Sequence, residues 1–224
     1  MFNASQIKSV NMPALTTITG ASTFYNNVYL TSVNMPELTA INNNSVFYGC
    51  SALVEVTLSK LQSISGSQTF LLVTNLGTLM LPELTQIVGN NTFQQMYSLT
   101  TLYMPKLSYL SGQQTLRQVS YLENLTVGTL TNSVDMLYDI KHWLKNITIG
   151  ADTNVDLQFQ QWAATEVIAR GEIGVIETNI MNNIVPNLHL NGNHIIRLHA
   201  TLYDNLSQSV KDAITDRGWT LQRG

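Results

Sequence analysis

Apolar residues recur through the first half of the chain with a period of 23, and their spacing inside each period is constant. Val10, Met12, Leu15, Ile18, Phe24 and Leu30 are followed by Val33, Met35, Leu38, Ile41, Phe47 and Leu53. The next copies read Val56, Leu58, Leu61, Ile64, Phe70, Leu76 and then Leu79, Leu81, Leu84, Ile87, Phe93, Leu99. A fifth reads Leu102, Met104, Leu107, Leu110, Leu116, Leu122, and a sixth begins with Leu125, Val127 and Leu130 before the register dissolves. Five full copies and a partial sixth, uninterrupted by insertions, define a solenoid over residues 1–130. In such a fold each copy buries its apolar side only against its neighbours.

Within a copy, alternation of the Val10-x-Met12 type predicts a short strand with two inward residues. Pro13, Pro36, Pro82 and Pro105 follow it, with Ser59 in the third copy, and remove a donor where the chain turns. Leu15 and Ile18 are expected to line that turn. Gly20, Gly66, Gly89 and Gly112 share one column with Asn43, and because Gly and Asn tolerate positive φ, Gly66 and Gly89 are expected in left-handed turns. Phe24, Phe47, Phe70 and Phe93 are expected to stack as a spine on the far side of the coil, ended by Leu116. No segment here keeps helical periodicity for ten residues, so the far side should be extended or turn-like.

Stacked copies turn every sequence column into a ladder on the outer surface. One outward column runs Asn11, Asn34, Thr57, Met80, Tyr103, Thr126, and its companion Ser9, Ser32, Glu55, Thr78, Thr101, Asn124. Met80 and Tyr103, with Tyr109 on the following turn, are the apolar exceptions on a polar face. With Thr57 and Thr101 they form the candidate ligand-binding set, as a hot spot or a platform on which a sugar stacks. The column Ala14, Glu37, Lys60, Glu83, Lys106 alternates in sign, which favours neighbouring coils in register.

Composition narrows the partners. Charged residues make up 11% of the 224, well below the usual ~25%, and Asn, Gln, Ser and Thr fill the surface positions instead. With 11 basic and 14 acidic residues and no Lys/Arg cluster, the footprint for neutralising phosphates is missing, so no nucleic-acid partner is expected. No run approaches 18 apolar residues, so no membrane span is expected. Cys50, the only cysteine, stands in a column with Asn27, Val73, Met96 and Val119 and reads as a small side chain at a repeat corner. It allows neither an intrachain disulfide nor a cysteine metal site.

The pattern Leu-x-x-Val-x-Met-Pro-x-Leu-x-x-Ile, followed by Phe47-x-x-Cys50-x-x-Leu53, resembles the leucine-rich repeats of the BspA-like (Treponema-type) family over residues 7–130. That resemblance implies a right-handed leucine-rich-repeat solenoid with a parallel β-sheet, one strand per coil. It also implies a non-catalytic role in extracellular binding or adhesion, with a protein or glycan ligand on a cell surface, and it brings no catalytic residue, metal or cofactor.

After Leu130 the composition changes, and all three Trp and all four His lie between His142 and Trp219. Helix-like segments at Ser133 to Lys145, Phe159 to Arg170, Glu177 to Val185 and Ser207 to Arg217 alternate with strand-like ones at Ile147 to Ile149, Ile173 to Ile176, Leu188 to Leu190 and Trp219 to Leu221. Residues 131–224 therefore read as an α/β capping region that continues the sheet, with Trp219 covering the last coil. The segment Leu188 to Leu221 resembles the ends of leucine-rich-repeat proteins of gut bacteria and their tailed phages, which makes a virion tail component the alternative to a cell-surface protein. His189, His194 and His199 are five apart, a spacing that alternates faces on a strand, and no Cys or carboxylate cluster completes a metal set. Asp135, Asp139, Asp152 and Asp156 read as capping and loop acids. Asn-x-Ser/Thr sequons at Asn3, Asn43, Asn90, Asn124, Asn146 and Asn205 follow from a composition rich in Asn and Thr.

The two ends differ. At the N-terminal end the register runs from Ile7, leaving Met1 to Gln6 to cover the first coil, too few for a capping helix. The expectation is that this end is engaged by further repeats, another domain or a partner subunit.

Overall fold

The computed structural model describes Phe2, residues 5–131, the strand backbones at 146–148 and 157–159, and residues 177, 180–181, 185–187, 195–198 and 200–223. Residues 9–131 form about five coils of a solenoid in which every coil has three sides. Strands are numbered in chain order. The first side carries β1 (Ser9–Asn11), β3 (Ser32–Asn34), β5 (Glu55–Thr57), β7 (Thr78–Met80), β9 (Thr101–Met104) and β11 (Asn124–Val127). The pairing is parallel and each residue meets its counterpart 23 positions on, as in Val10 with Val33 and Leu79 with Leu102.

A second ladder was not foreseen in the sequence. The Leu-x-x-Ile segment does more than line a turn: β2 (Thr17–Ile18), β4 (Ala40–Ile41), β6 (Ser63–Ile64), β8 (Gln86–Ile87) and β10 (Tyr109–Leu110) form a continuous five-stranded parallel sheet. The expectation of one strand per coil is thereby corrected to two. Short strands of this kind escape period-2 analysis because two residues show no alternation.

The third side is a ladder of another kind. The amides of Ser22, Phe24 and Asn26 donate to the carbonyls of Asn44, Val46 and Tyr48 at 2.7 to 2.9 Å, and the later coils repeat the scheme. Here lie the positive φ angles of the solenoid, at Ser22 and Asn26, Ser45 and Gly49, Gln68 and Leu72, Asn91 and Gln95, Gln114 and Gln118. Gly66 and Gly89 are not among them, and the left-handed turn assigned to their column is wrong. The reason for glycine is proximity: a Cβ on Gly66 would lie 2.0 Å from the Asn43 carbonyl oxygen, and one on Gly89 2.1 Å from that of Gly66. The second copy departs from this column in two places at once. Elsewhere Thr23, Thr69, Thr92 and Thr115 donate to the carbonyl three residues back, at Gly20, Gly66, Gly89 and Gly112; in the second copy Val46 replaces the Thr as Asn43 replaces the Gly, and the Asn43 amide bonds the Ile18 carbonyl instead.

Between the three sides lies a dry core. Phe24, Phe47, Phe70 and Phe93 are fully buried and stacked at centroid spacings of 5.3 to 5.8 Å. Phe2 adds a rung that lies outside the 23-residue register, its ring centroid 5.6 Å from that of Phe24 and its plane nearly parallel to it. Val10 and Phe24 are covered at this end, at 6% and 1% exposed. Asn27, buried in the column of Cys50, secures this arrangement by donating to the Phe2 carbonyl and accepting from the Ser5 amide at 2.9 Å.

The scarcity of charge also finds its explanation. Hydroxyls and amides bond across one period: Thr31 to the Lys8 carbonyl, Thr85 to that of Gln62, Asn34 to Asn11, Ser65 to Asn42 and Gln95 to Gln118, at 2.8 to 3.0 Å. Neutral polar side chains make such repeated contacts without the like-charge repulsion that identical ionised residues in a column would suffer.

Beyond Leu130, β12 (Asn146–Thr148) pairs in parallel with β11, as the sequence led us to expect for Ile147. Further on, β13 (Leu157–Phe159), β14 (Ile195–Leu198) and β15 (Thr220–Arg223) form a separate three-stranded parallel sheet in the order β13-β14-β15. Phe159 therefore ends a strand rather than opening a helix, and among the described residues the first sheet continues through β12. The helix expected at Ser207 to Arg217 spans Gln208–Thr215 and packs on β15, with Val210, Ile214 and Trp219 buried. The segments expected at 133–145, 160–170, 173–176 and 188–190 lie outside the described residues, as do His189, His194, His199 and the four aspartates.

Candidate ligand-binding face

The outward side of the first ladder is a surface with a repeated chemistry. Across its two outward columns Glu55 is the only ionisable carboxylate, and the rest are hydroxyls, amides, Met80 and Tyr103. Register sets Met80 directly beside Tyr103 and Tyr103 beside Thr126, while Thr101 lies between Thr78 and Asn124. Met80 is 45% exposed and Tyr103 half-buried. The Asn124 amide reaches the Thr101 hydroxyl at 3.4 Å, so part of this surface is held in place by its own hydrogen bonds.

Not every residue of the candidate set is brought together. The first side consists of two sheets, β1-β3-β5 and β7-β9-β11-β12, and β5 and β7 are neighbours without ladder pairing. Thr57 stands on one side of this break and Met80 on the other. Tyr109 belongs to the second ladder, beside Gln86, and is thus on a different side of the coil from Tyr103.

Hydroxyl staples cross two of the intact boundaries. Thr31 and Thr100 each donate a side-chain hydroxyl to the carbonyl one coil back, at Lys8 and Gly77. Neither Val54 nor Gly77 carries such a hydroxyl, yet β3 and β5 remain paired, so its absence does not by itself set the break. The ion pairs respect the same boundary: Lys60 bridges Glu37 and Lys106 bridges Glu83 at 2.7 Å, whereas Lys60 and Glu83 are not bridged. The sign alternation thus clasps coils in pairs. At the break Val54 is 51% exposed and Val56 is only half-buried, unlike the buried residues of its column. Sequence reasoning missed Val54, although its column of Lys8, Thr31, Gly77, Thr100 and Glu123 marks it as the apolar exception.

Catalytic chemistry has little to work with here. Among the described residues no three His, Cys, Asp or Glu side chains come together as a metal set. Cys50 is buried, its Sγ hydrogen donates to the Phe24 carbonyl at 3.1 Å, and burial pushes the thiol up to about 12, partly opposed by a hydrogen bond from the Asn27 backbone. A thiol so protonated is a poor nucleophile. Its folded pKa exceeds the unfolded value of 9.0, so the proton is held more tightly in the folded state, and the stability this confers is complete below pH 9 and lost as pH rises toward 12. Urea midpoints of the native chain should therefore fall more steeply between pH 9 and 11 than those of Cys50→Val; equal slopes would show the thiol is not responsible. Asp204 and Arg223 form an exposed bidentate pair at 2.8 and 2.9 Å, in which the guanidinium holds the carboxyl below its ordinary range. This pair links the helix Ala200–Asn205 to β15.

Stacked parallel strands at a 23-residue period, an inward Val/Met/Leu/Ile set and outward columns of polar residues define a leucine-rich-repeat-type solenoid. The chain belongs to the family described as the BspA type leucine rich repeat region, whose model matches residues 1–123 and 44–155. Among solved structures it is similar to a leucine rich repeat protein of T. pallidum, at 17% identity and a TM-score of 0.48, covering 75% of this chain and 84% of that one. It is also similar to a leucine-rich repeat protein of Bacteroides ovatus, at 15% identity and a TM-score of 0.37, covering 67% of this chain and 50% of the other. A search of curated proteins returns no match. Among the described residues no helix is long and apolar enough to cross a membrane.

Proposed function

We propose that this chain is a non-catalytic recognition module that uses the outward face of its first ladder to hold a protein or glycan ligand outside the cell. The observation that carries the reading is the juxtaposition of Met80 and Tyr103 on a face otherwise lined by neutral hydroxyls and amides. An aromatic flanked by hydrogen-bonding groups suits both a sugar ring and a protein hot spot, and rim charges contribute little to either. Membership of a leucine-rich-repeat family supports binding as the general role. The N-terminal end of the solenoid is a second working surface, an assembly face engaged by further repeats, another domain or a partner subunit.

The test is capture on glycan and protein arrays, followed by Tyr103→Ala combined with Met80→Ala. Both side chains sit on the outer face, so capture should fall at least about tenfold, the equivalent of one moderate hot spot, while the thermal midpoint stays nearly unchanged. Tyr109→Ala, on another side of the coil, should leave capture intact. Undiminished capture by the double variant would remove the first ladder as the site.

A further inference from the structure

At each interior boundary of the solenoid, the half-coil bearing Val, Met, Leu and Ile covers the same set in the next copy. Val10 pairs with Val33 and Ile18 with Ile41, and in the covered copy Val33, Met35, Leu38 and Ile41 are 2% exposed or less. In the first coil Met12 and Leu15 remain half-buried. Together with Phe2, Ile18 and Phe24 they line an open cleft of about 290 Å³. Small-molecule pockets run from roughly 300 to 1,000 Å³ and enclose their ligands; this cleft is at the lower limit and open, which suits the side chains of an extended segment.

The backbone carries the same message. Thr31 and Thr39 donate their amides to the Lys8 and Thr16 carbonyls at 2.7 and 3.1 Å, and Met12 donates to the Asn34 carbonyl at 2.9 Å. One coil earlier the equivalent groups are the Lys8 and Thr16 amides and the Asn11 carbonyl, which have no partner among the described residues. β1 and β2 are the terminal strands of their sheets. The third side at this end is already occupied, since Phe2 stacks on Phe24 and Asn27 binds Phe2 and Ser5. What the face accepts is therefore limited to the first two sides of a coil.

We propose that this end of the solenoid docks one further extended polypeptide segment of repeat-type sequence, with apolar residues spaced as Val10, Met12, Leu15 and Ile18, which adds in parallel to β1 and β2 and fills the cleft beside Phe2. Main-chain hydrogen bonds to the two edges supply part of the affinity and the four side chains supply the register. The proposal rests on reading this end as an assembly face and narrows it to one occupant, by continuity with an interface that the chain builds between its own successive coils.

The probe is a synthetic peptide with the sequence of Thr31–Asn43, titrated into the 224-residue chain and followed by calorimetry and amide hydrogen exchange. Saturable binding is expected, with slowed exchange at the Lys8 and Thr16 amides. The same peptide carrying Val33→Ser, Met35→Ser, Leu38→Ser and Ile41→Ser should bind at least about tenfold more weakly, because each buried aliphatic side chain is worth more than one decade of affinity. The exchange readout requires no variant of the chain, and Tyr103→Ala should not alter it. Equal binding of the two peptides, or none, overturns the half-coil proposal. If the peptide fails while the chain associates with itself and protects the same two amides, the assembly reading stands with a second copy as occupant; if neither occurs, both readings fall.

Discussion

Phe70→Ala should lower the stability of the solenoid by about 3 to 5 kcal/mol, the range for deleting a buried phenylalanine. Phe70 has no exposed surface and stacks on Phe47 at 5.3 Å and on Phe93 at 5.8 Å, so the change empties a site bounded on both sides by rings. In a solenoid, stability is the sum of coils and nearest-neighbour interfaces, and Phe70 contributes to two such interfaces. Urea unfolding followed by circular dichroism should show an earlier midpoint and a broader transition, because the two flanking parts lose part of their coupling. Phe70→Leu reproduces the residue that the fifth copy carries at Leu116, which is 1% exposed, and should be the milder change. If Phe70→Ala shifts the midpoint no more than Phe70→Leu does, the stacked spine is not what holds the coils together.

Gly89→Val should be the other severe substitution, at the upper end of the ~1 to 3 kcal/mol typical of overpacking or beyond. A Cβ at Gly89 would approach the Gly66 carbonyl oxygen to 2.1 Å, its carbon to 2.5 Å and the Ser67 nitrogen to 2.9 Å. All three are backbone atoms of the preceding coil and cannot rotate aside. Relief requires the coils to move apart, which strains the Gln68 to Asn90 and Phe70 to Thr92 hydrogen bonds. Gly77→Ala is the matched control, since its Cβ would meet nothing nearer than the Ser98 carbonyl oxygen at 3.9 Å. It should change the midpoint little. Similar losses for both variants would show that the conformational freedom of glycine matters here, and not the close approach of neighbouring coils.

The glycine column shows where sequence reasoning reached the right positions for the wrong cause. Gly66 and Gly89 were singled out because glycine tolerates positive φ, yet the left-handed residues are Gln68 and Leu72, Asn91 and Gln95. A column of glycines reports that a side chain is excluded; it does not say whether φ or a neighbour excludes it. The left-handed residues themselves are written as Ser, Asn, Gln, Leu and, once, Gly49, so composition singles out only a few of them. Inter-coil amide bonds at Gln68 and Leu72 hold that geometry against its intrinsic cost.

The candidate face divides in the same way. Met80, Thr101 and Tyr103 could be placed on one surface because side chains alternate along a strand and the period is free of insertions, so counting residues is equivalent to counting positions in space. Tyr109 could not be placed, because its two-residue strand shows no alternation and the chain turns between β9 and β10. Nor could the break between β5 and β7 be read, since the 23-residue period runs through it without a change of spacing.

By itself the sequence determined the solenoid, its 23-residue pitch, the buried Phe spine and the polar outer columns, because in a repeat each residue's neighbours in space are its own counterparts one period away. Only the tertiary structure decided the second ladder, the third side with its left-handed residues, the interruption of the first sheet and the position of Phe2 over Phe24. Those features rest on backbone hydrogen bonds between successive coils and, for Phe2, on a ring outside the 23-residue register held by Asn27, and neither leaves a trace in side-chain periodicity.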